Sequence, residues 1–241
     1  MIDNVPHIFI DGLYQLGLQL DEEKLQQLVR YHHELLVWNT RFNLTAISDV
    51  EQVWLKHFLD SFTLLQAYDV PHVDLLDIGA GAGFPGLALK IVRPHWHVTL
   101  LEATGKKVTF LQHVIEVLQL QNITALHARA EEVAHRQEYR AAFDLVTARA
   151  VASLSTLLEY CAPFCRRGAR MIFPKKGDII EELAQGKRAA ECIGASLVVD
   201  VSVTLAGLAD GRRLLVWQQS QPCPAHFPRS GALMAKKPLG T

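Results

Sequence analysis

The sequence predicts an α/β fold with a seven-stranded, mostly parallel sheet, an antiparallel C-terminal hairpin and an N-terminal helical extension. From residue 73 onward, apolar runs of strand length alternate with helical patterns, and repeated βα units of this kind form parallel sheets. The last two apolar runs have no helix between them, which indicates an antiparallel pair. A chain of 241 residues, 49% of them hydrophobic, can bury the core that such a fold needs.

The N-terminal extension is predicted to be helical because its apolar residues recur at helical spacing. Acidic residues 21–23 fit the start of a helix, where negative charge interacts favourably with the helix dipole. The apolar stripe of that helix consists of Leu25, Leu28, Val29, His32, Leu35, Leu36 and Trp38. Ser48 and Glu51 fit a capping box that opens a further helix, with Ser48 as the cap.

The α/β part is predicted element by element from the same patterns. Strands are expected at 73–78, 97–102, 123–128, 143–147, 169–174, 196–204 and 212–219. Helices are expected at 84–92, 105–119, 131–138, 153–166 and 178–194. The last two strands, joined by 206–211, form the hairpin, with one of them beside the fifth strand. The chain therefore divides into the extension (1–70), the α/β domain (71–220) and a basic, proline-containing tail (221–241), which we expect to be extended or poorly ordered.

Composition limits the class of protein. No run of 18 uninterrupted apolar residues is present, and the N-terminus lacks the pattern of a signal peptide, so we expect a cytoplasmic protein. The four cysteines have no metal-site spacing, so we expect no metal and reduced, mostly buried thiols. The net charge of −1 does not by itself favour a nucleic-acid partner. We also expect the protein to be a monomer.

The most informative motif follows the first predicted strand, where Asp77 precedes glycines at 79, 81 and 83. Glycine allows a sharp turn and the close approach of a ligand. A dinucleotide fingerprint beginning at Gly79 would need a third glycine where this chain has Phe84. The observed spacing is instead typical of enzymes that bind S-adenosylmethionine. The alternative is a tight turn without a ligand.

Acidic residues after the next two strands support a nucleoside site. Glu102 ends the second predicted strand and can accept hydrogen bonds from ribose hydroxyls, as the acid at this position does in dinucleotide folds. A solvent-facing acid is the alternative. Ala130 and Glu131 follow the third strand, where such folds hold adenine, although an ordinary acidic helix start fits nearly as well.

The end of the fourth strand carries Arg149 and lacks the Asn/Asp-Pro-Pro-aromatic run that exocyclic-amine methyltransferases use. No cysteine stands where a cytosine-C5 enzyme would need its nucleophile. Arg149 is a permanent cation with a planar donor fork, suited to a guanine O6, a phosphate or a carboxylate. A surface ion pair is the alternative interpretation.

Taken together, the motifs make the chain resemble the ribosomal small-subunit methyltransferase G family, also called glucose-inhibited division protein B. The resemblance covers essentially the whole chain. The residues that carry it are Trp38-Asn39 with Phe42 to Thr45, Lys56 to Ser61, Asp77 to Gly86, Gly105 to Lys107, Arg149-Ala150 and Lys236 to Leu239.

The resemblance implies a Rossmann-like S-adenosylmethionine-dependent methyltransferase fold and methylation of guanine N7 in 16S rRNA, at position 527 in the usual substrate of the family. With the glycine turn, the expected cofactor-binding residues are Gly79, Gly81, Phe84, Glu102, Ala103, Thr104, Ala130, Glu131 and Arg149. Guanine N7 has a lone pair and no proton, so the expected mechanism is in-line transfer without a general base, with Arg149 as a positioning residue. The expected substrate-side residues are Asn39, Asn43, His57, Lys106 and Lys176, with His57 more readily a hydrogen-bonded structural residue than a proton shuttle.

Local basic residues would supply the positive potential that binding to the small ribosomal subunit needs. The candidates are Arg129, Arg140, Arg166, Arg167, Arg170, Lys175, Lys176, Arg212 and Arg213, although most fit solvated surface charge equally well. Three other functions stay open at this point: a small-molecule methyltransferase, a dinucleotide-dependent oxidoreductase, and a non-catalytic assembly factor.

Overall fold

The structure is a computed structural model, and it describes residues 5–205, 207–208 and 210–240. The described strands form one seven-stranded sheet in the order β3-β2-β1-β4-β5-β7-β6. They are β1 (Asp74–Ile78), β2 (His97–Glu102), β3 (Ile123–His127), β4 (Phe143–Thr147), β5 (Cys165–Lys175), β6 (Ala195–Ser202) and β7 (Arg213–Gln219). The first five strands run parallel, and β7 is antiparallel to both β5 and β6. The predicted fold class is confirmed, including the hairpin; Ala206 and Ala209 of its predicted connection lie outside the described residues.

Helices cover both faces of this sheet. They are α1 (His7–Gln15), α2 (Glu22–Asn39), α3 (Val50–Val53), α4 (Asp60–Phe62), α5 (Gly86–Val92), α6 (Gly105–Val117), α7 (Ala130–Val133), α8 (Leu154–Cys161), α9 (Ile180–Ile193) and α10 (Gly231–Lys236). None of the helices in the described ranges is both long and apolar enough to traverse a membrane.

Two hydrophobic cores lie on opposite faces of the sheet because neighbouring strand residues point in opposite directions. Leu75 belongs to the core that includes the N-terminal extension, α5 and α6, whereas Leu76 belongs to the core under α8 and α9. The extension therefore packs as an additional layer on one face. Its α2 helix begins with an Asp21 cap, as the acidic start predicts, and buries Leu28, Tyr31 and Leu35.

The segment that opens with α3 differs from the regular helix that the sequence suggests. Asp49, rather than Ser48, is the cap, and its side chain accepts a hydrogen bond from the Gln52 N–H. A π-helical segment (Trp54–Leu59) then separates α3 from α4, and a 3-10 turn (Thr63–Gln66) follows. Wide π turns occur frequently at functional sites, and this one carries His57.

The predicted helix 153–166 ends earlier, at Cys161, and β5 begins at Cys165. A 3-10 turn (Ala162–Phe164) lies between them, and Pro163 within it has no N–H to donate to the α-helical hydrogen-bond ladder. Similarly, α7 is one short turn rather than the predicted 131–138. All four cysteines are free, but only Cys161 and Cys165 are buried.

The expectation of an extended or poorly ordered tail is wrong for residues 221–240. Arg229 donates through its backbone N–H and its guanidinium to the carboxylate of Glu159, at 2.9, 2.7 and 2.6 Å. Arg140, a candidate RNA contact, instead donates to the Cys223, Pro224 and Phe227 carbonyls. The sequence patterns do not reveal these partners because they are more than 60 residues away along the chain.

Replacing Arg229 with Met is expected to destabilise the fold by about 3 kcal/mol, because removal of one partner leaves a buried charge unpaired. Glu159 is 0% exposed, so water cannot replace the arginine. Urea unfolding measures the effect. The double variant Glu159→Leu/Arg229→Met removes both charges and should recover most of the loss; equal destabilisation of the single and double variants would contradict the assignment.

Candidate active site

Two cavities open at the carboxyl edge of the parallel strands, where ligands bind in open α/β sheets. The first has a volume of about 230 Å³ and is lined by predicted cofactor residues together with residues that the sequence analysis did not assign to the cofactor. The predicted ones are Gly79, Glu102, Ala103, Ala130 and Glu131, and the others include Val151 and Tyr160.

In the turn between β1 and α5, glycine is needed at different positions for different reasons. Gly83 has φ of +94°, and a side chain there would collide with the Tyr31 hydroxyl and with Leu87 Cβ at 3.0 Å. Gly81 has φ of +61°, yet the nearest atom to an added Cβ is the Gly79 carbonyl oxygen at 3.8 Å. Packing therefore explains Gly83, whereas the space beside Gly81 is open to a ligand.

Glu102 is held rigidly at the end of β2. Its Oε2 accepts from the Gly81 N–H at 2.9 Å, and its Oε1 accepts from the Thr104 N–H at 2.8 Å. Each carboxylate oxygen has further lone-pair capacity. Glu102 therefore both fixes the turn and presents acceptors to the cavity that it lines.

Asp77 supports the same turn from below. Its Oδ2 accepts the Gly86 N–H at 2.8 Å, and its Oδ1 has no hydrogen-bond partner within the described ranges. Burial raises the pKa of Asp77 to about 7, although the Gly86 hydrogen bond acts in the opposite direction. Asp77 is therefore a buried structural carboxyl whose pKa lies near neutral pH, rather than an acid on the surface.

These residues fit a nucleoside cofactor. An open cradle lies beside Gly81, Glu102 supplies oriented acceptors for ribose hydroxyls, and Ala130 and Glu131 complete the wall after β3. In the parts of the chain that are described, no cluster of His, Cys, Asp and Glu has the makings of a metal site.

The second cavity, of about 500 Å³, lies between the π-helical segment, the end of β4 and the start of β7. Its lining is rich in charge. The charged residues are Lys56, Asp60, Arg149, Lys175, Lys176, Glu182, Arg212 and Arg213, and His57 lines the same cavity.

Asp60 organises this second cavity. It is 4% exposed, and its Oδ2 accepts from Arg149 Nη1 at 2.7 Å while its Oδ1 accepts from Arg212. Arg149 also donates to the Lys56 carbonyl at 3.0 Å. Arg212, predicted only as a source of positive potential, is instead mainly buried in this cluster.

His57 is fixed between the extension and Arg149. A guanidinium only donates, so the 3.3 Å contact from Arg149 Nη2 makes His57 Nδ1 the acceptor, and Nε2 donates to Thr45 Oγ1 at 2.8 Å. Burial, with the Arg149 charge, lowers the pKa of His57 to about 4. His57 is neutral at physiological pH with both nitrogens engaged, which favours the structural role over a proton shuttle.

Asn39 sets the loop that presents Thr45. Its Oδ1 accepts the N–H groups of Leu44 and Thr45 at 2.7 and 3.0 Å, and its Nδ2 donates to the Thr45 carbonyl. The structure thus places Asn39 behind the cavity rather than in it. Asn43 is exposed in the same loop.

Phe84 lies in the core with both ring faces covered. Tyr31 stacks on it at 5.2 Å between centroids and 10° between planes, and His57 stacks at 4.7 Å and 19°. The Arg149 guanidinium lies 5.6 Å from the ring centroid. The phenyl ring therefore packs against His57 and Arg149, which line the second cavity.

The loop after β4 separates the two cavities. Arg149 and Ala150 line the second cavity, whereas Val151 lines the first. Ala150 has φ of +57°, a conformation that is uncommon for a residue with a side chain and that concentrates at functional sites. A group held in one cavity and a group held in the other would meet at this loop.

The remaining predicted residues are distributed around these cavities. Lys106 is exposed at the start of α6, and Lys176 is exposed at the mouth of the second cavity. Thr104 orients Glu102 through its backbone. Among the basic candidates, Arg166 pairs with Asp74 and Asp144, Arg213 with Asp200, and Lys175 with Glu182.

Replacing Asp77 with Asn should change how stability depends on pH. The pKa of Asp77 rises from 3.8 in the unfolded chain to about 7 in the fold, so its contribution to stability is complete below pH 3.8 and is lost as pH rises through 7. Asparagine stays neutral, so the free energy of unfolding of Asp77→Asn relative to wild type should rise with pH, by at most about 1.4 kcal/mol per pH unit. Urea unfolding at pH 4 to 8 tests this, and a pH-independent difference would contradict it.

Comparisons with known proteins agree with this architecture. A family model described as rRNA small subunit methyltransferase G (GidB) matches residues 24–208. Among solved structures, TYW2 of M. jannaschii in complex with AdoMet is similar with a TM-score of 0.52 and 18% identity over 66% of this chain and 73% of that one, a likeness of fold.

Relatives named ribosomal RNA small subunit methyltransferase G match most of the chain. The protein of Roseiflexus sp. (strain RS-1) is 45% identical and is aligned over 92% of this chain and 95% of its own length. That of Chloroflexus aggregans is 41% identical over 99% and 100%. The chain therefore belongs to the rRNA small subunit methyltransferase G family and has its methyltransferase fold.

Proposed function

We propose that this protein transfers a methyl group from S-adenosylmethionine to N7 of a guanine in 16S rRNA of the small ribosomal subunit. Membership of the methyltransferase G family supports the reaction class. The observation that carries the proposal is the pair of cavities that meet at residues 149–151, one with the features of a nucleoside site and the other lined by cations. The first would hold the cofactor and the second the target base.

The first cavity supplies recognition of the cofactor. Gly81 leaves room for a ligand against the backbone, Glu102 accepts from the ribose hydroxyls, and Ala130 and Glu131 contact the adenine. When bound, S-adenosylmethionine supplies an electrophilic methyl group on a positively charged sulfur. We assign Ala103 and Thr104 to the same wall and Phe84 to the support beneath it.

The second cavity supplies alignment rather than proton transfer. N7 of guanine attacks through a lone pair and loses no proton, so the neutral, fully engaged His57 is not required as a base. Arg149 has five N–H donors, and its contacts with Lys56, Asp60 and His57 in the described structure use three of them. The other two suit an acceptor edge such as guanine O6, and holding the base in line accelerates transfer.

RNA phosphates would be neutralised at the mouth of the second cavity. Within the described residues, Lys56 and Lys176 line this cavity without an ion-pair partner, whereas Arg149, Arg212 and Lys175 are paired. Lys106 and Asn43 are exposed, and we keep them as further candidates from the sequence motifs. The N7 edge of A-form RNA lies in a deep, narrow groove, so the target guanine must be unpaired or splayed out.

Replacing Gly81 with Ala is expected to weaken S-adenosylmethionine binding at least tenfold, because the new methyl group would occupy the open space beside the turn. Isothermal titration measures the dissociation constant. Gly17→Ala is the matched control, since Gly17 has φ of +67° and open surroundings but lies after α1. Equal affinities of the two variants would contradict the placement of the cofactor.

Methyl transfer is tested with labelled S-adenosylmethionine and small ribosomal subunits from cells that lack this activity. The expected result is label in 16S rRNA at guanine N7, mapped by the selective strand cleavage that N7-methylguanine permits after reduction. Label at another atom, in another RNA, or in no RNA would overturn the proposal.

The Arg149→Lys variant belongs to the same experiment. It keeps a positive charge beside Asp60 but loses the planar donor fork, so the transfer rate should fall roughly 100-fold. The affinity for S-adenosylmethionine should change less than threefold, since Arg149 lines the second cavity. A normal transfer rate would contradict the assignment of Arg149 to the site.

A further inference from the structure

The C-terminal tail is attached to the body at three separate places. Arg229 pairs with the buried Glu159 on α8, and the Arg140 guanidinium donates to the carbonyls of 223, 224 and 227. Near the end of the tail, Arg188 on α9 donates to the Gly240 carbonyl at 2.7 Å. The family model ends at residue 208, before this tail.

Between these attachments, the tail passes behind the first cavity. A Cβ added at Gly231, the first residue of α10, would lie 3.2 Å from Glu131 Oε1 and 3.5 Å from the Tyr160 hydroxyl. Both of those side chains line the cavity. The backbone of α10 is therefore in close contact with two of its wall residues.

The charges around Tyr160 connect the tail with the wall of the first cavity. Burial raises the pKa of Tyr160, and the neighbouring carboxylates of Glu131 and Glu159 add to the rise. Arg229 brings a guanidinium to Glu159, the residue before Tyr160 on α8. Without the tail, α8 would carry an unpaired buried carboxylate next to the wall tyrosine.

We infer that the C-terminal tail is a positioning element of the cofactor site, in which α10 fixes Glu131 and Tyr160 and so sets the adenine end of the first cavity. The inference rests on the proposed function, because it takes the ligand of this cavity to be S-adenosylmethionine. The tail acts through these two side chains and is not itself assigned a contact with the cofactor.

A pair of variants one residue apart tests the inference. Gly231→Val places a branched side chain against Glu131 and Tyr160, whereas Ala232→Val places the same side chain at an exposed position of α10. We expect the dissociation constant for S-adenosylmethionine to rise at least fivefold in Gly231→Val and less than twofold in Ala232→Val. The smaller Gly231→Ala change should fall between them. Calorimetric titration gives the constants, and thermal unfolding of the free proteins shows whether Gly231→Val and Ala232→Val retain similar stability.

Hydrogen exchange of the wild-type protein provides a test that needs no substitution. If the tail and the cofactor stabilise the same wall, coupling is reciprocal, so S-adenosylmethionine must slow exchange of the amides of residues 233–237. Exchange in β6, at the far end of the sheet, should not change. Suppose that the wild type binds S-adenosylmethionine normally. Equal affinities of the two valine variants, or unchanged exchange in the tail, would then overturn this inference but not the proposed function. No binding by the wild type would overturn the proposed cofactor as well.

Discussion

The buried carboxylate of Asp60 is the constraint on which the arrangement of this protein depends. It belongs to the N-terminal extension, while its partners Arg149 and Arg212 come from the end of β4 and the approach to β7. Removing three charges from water costs free energy that their attraction only partly offsets, so such a cluster contributes little net stability. The cluster connects the extension to the sheet and holds Arg149 where the two cavities meet.

The same extension also determines the shape of the glycine turn. The Tyr31 hydroxyl donates to the Ala82 carbonyl from beneath, and its ring stacks on Phe84. Tyr31 occupies the space that a side chain at residue 83 would need, so the third glycine of the motif reflects contact with α2 rather than with a ligand. Helices that the sequence marks as a separate extension therefore line the second cavity and shape the glycine turn beside the first.

Local patterns predicted the sheet and the first cavity because each of their signals lies within a few residues. Strand periodicity, the glycine spacing and Glu102 at a strand end are of this kind, and parallel strands bring their carboxyl ends together. The Asp60–Arg212 contact spans 152 positions and the Arg229–Glu159 contact spans 70, so no local pattern encodes them. For that reason Arg140 and Arg212 resembled RNA contacts in the sequence but proved to be internal partners, and the tail resembled a disordered segment.

The distribution of charge follows from the same internal pairing. A net charge of −1 does not favour RNA binding through bulk attraction, and the structure engages Arg140, Arg166, Arg212 and Arg213 within the protein. The positive charge that faces the second cavity without an ion-pair partner in the described residues is concentrated at Lys56 and Lys176. Under the proposed function, the fit of one base beside Arg149 would discriminate between RNA sites, and Lys56 and Lys176 would meet phosphates at the rim of the cavity. Phosphate contacts of this kind position an RNA without reading its sequence, so the contact with the base edge would carry the specificity of the proposed reaction.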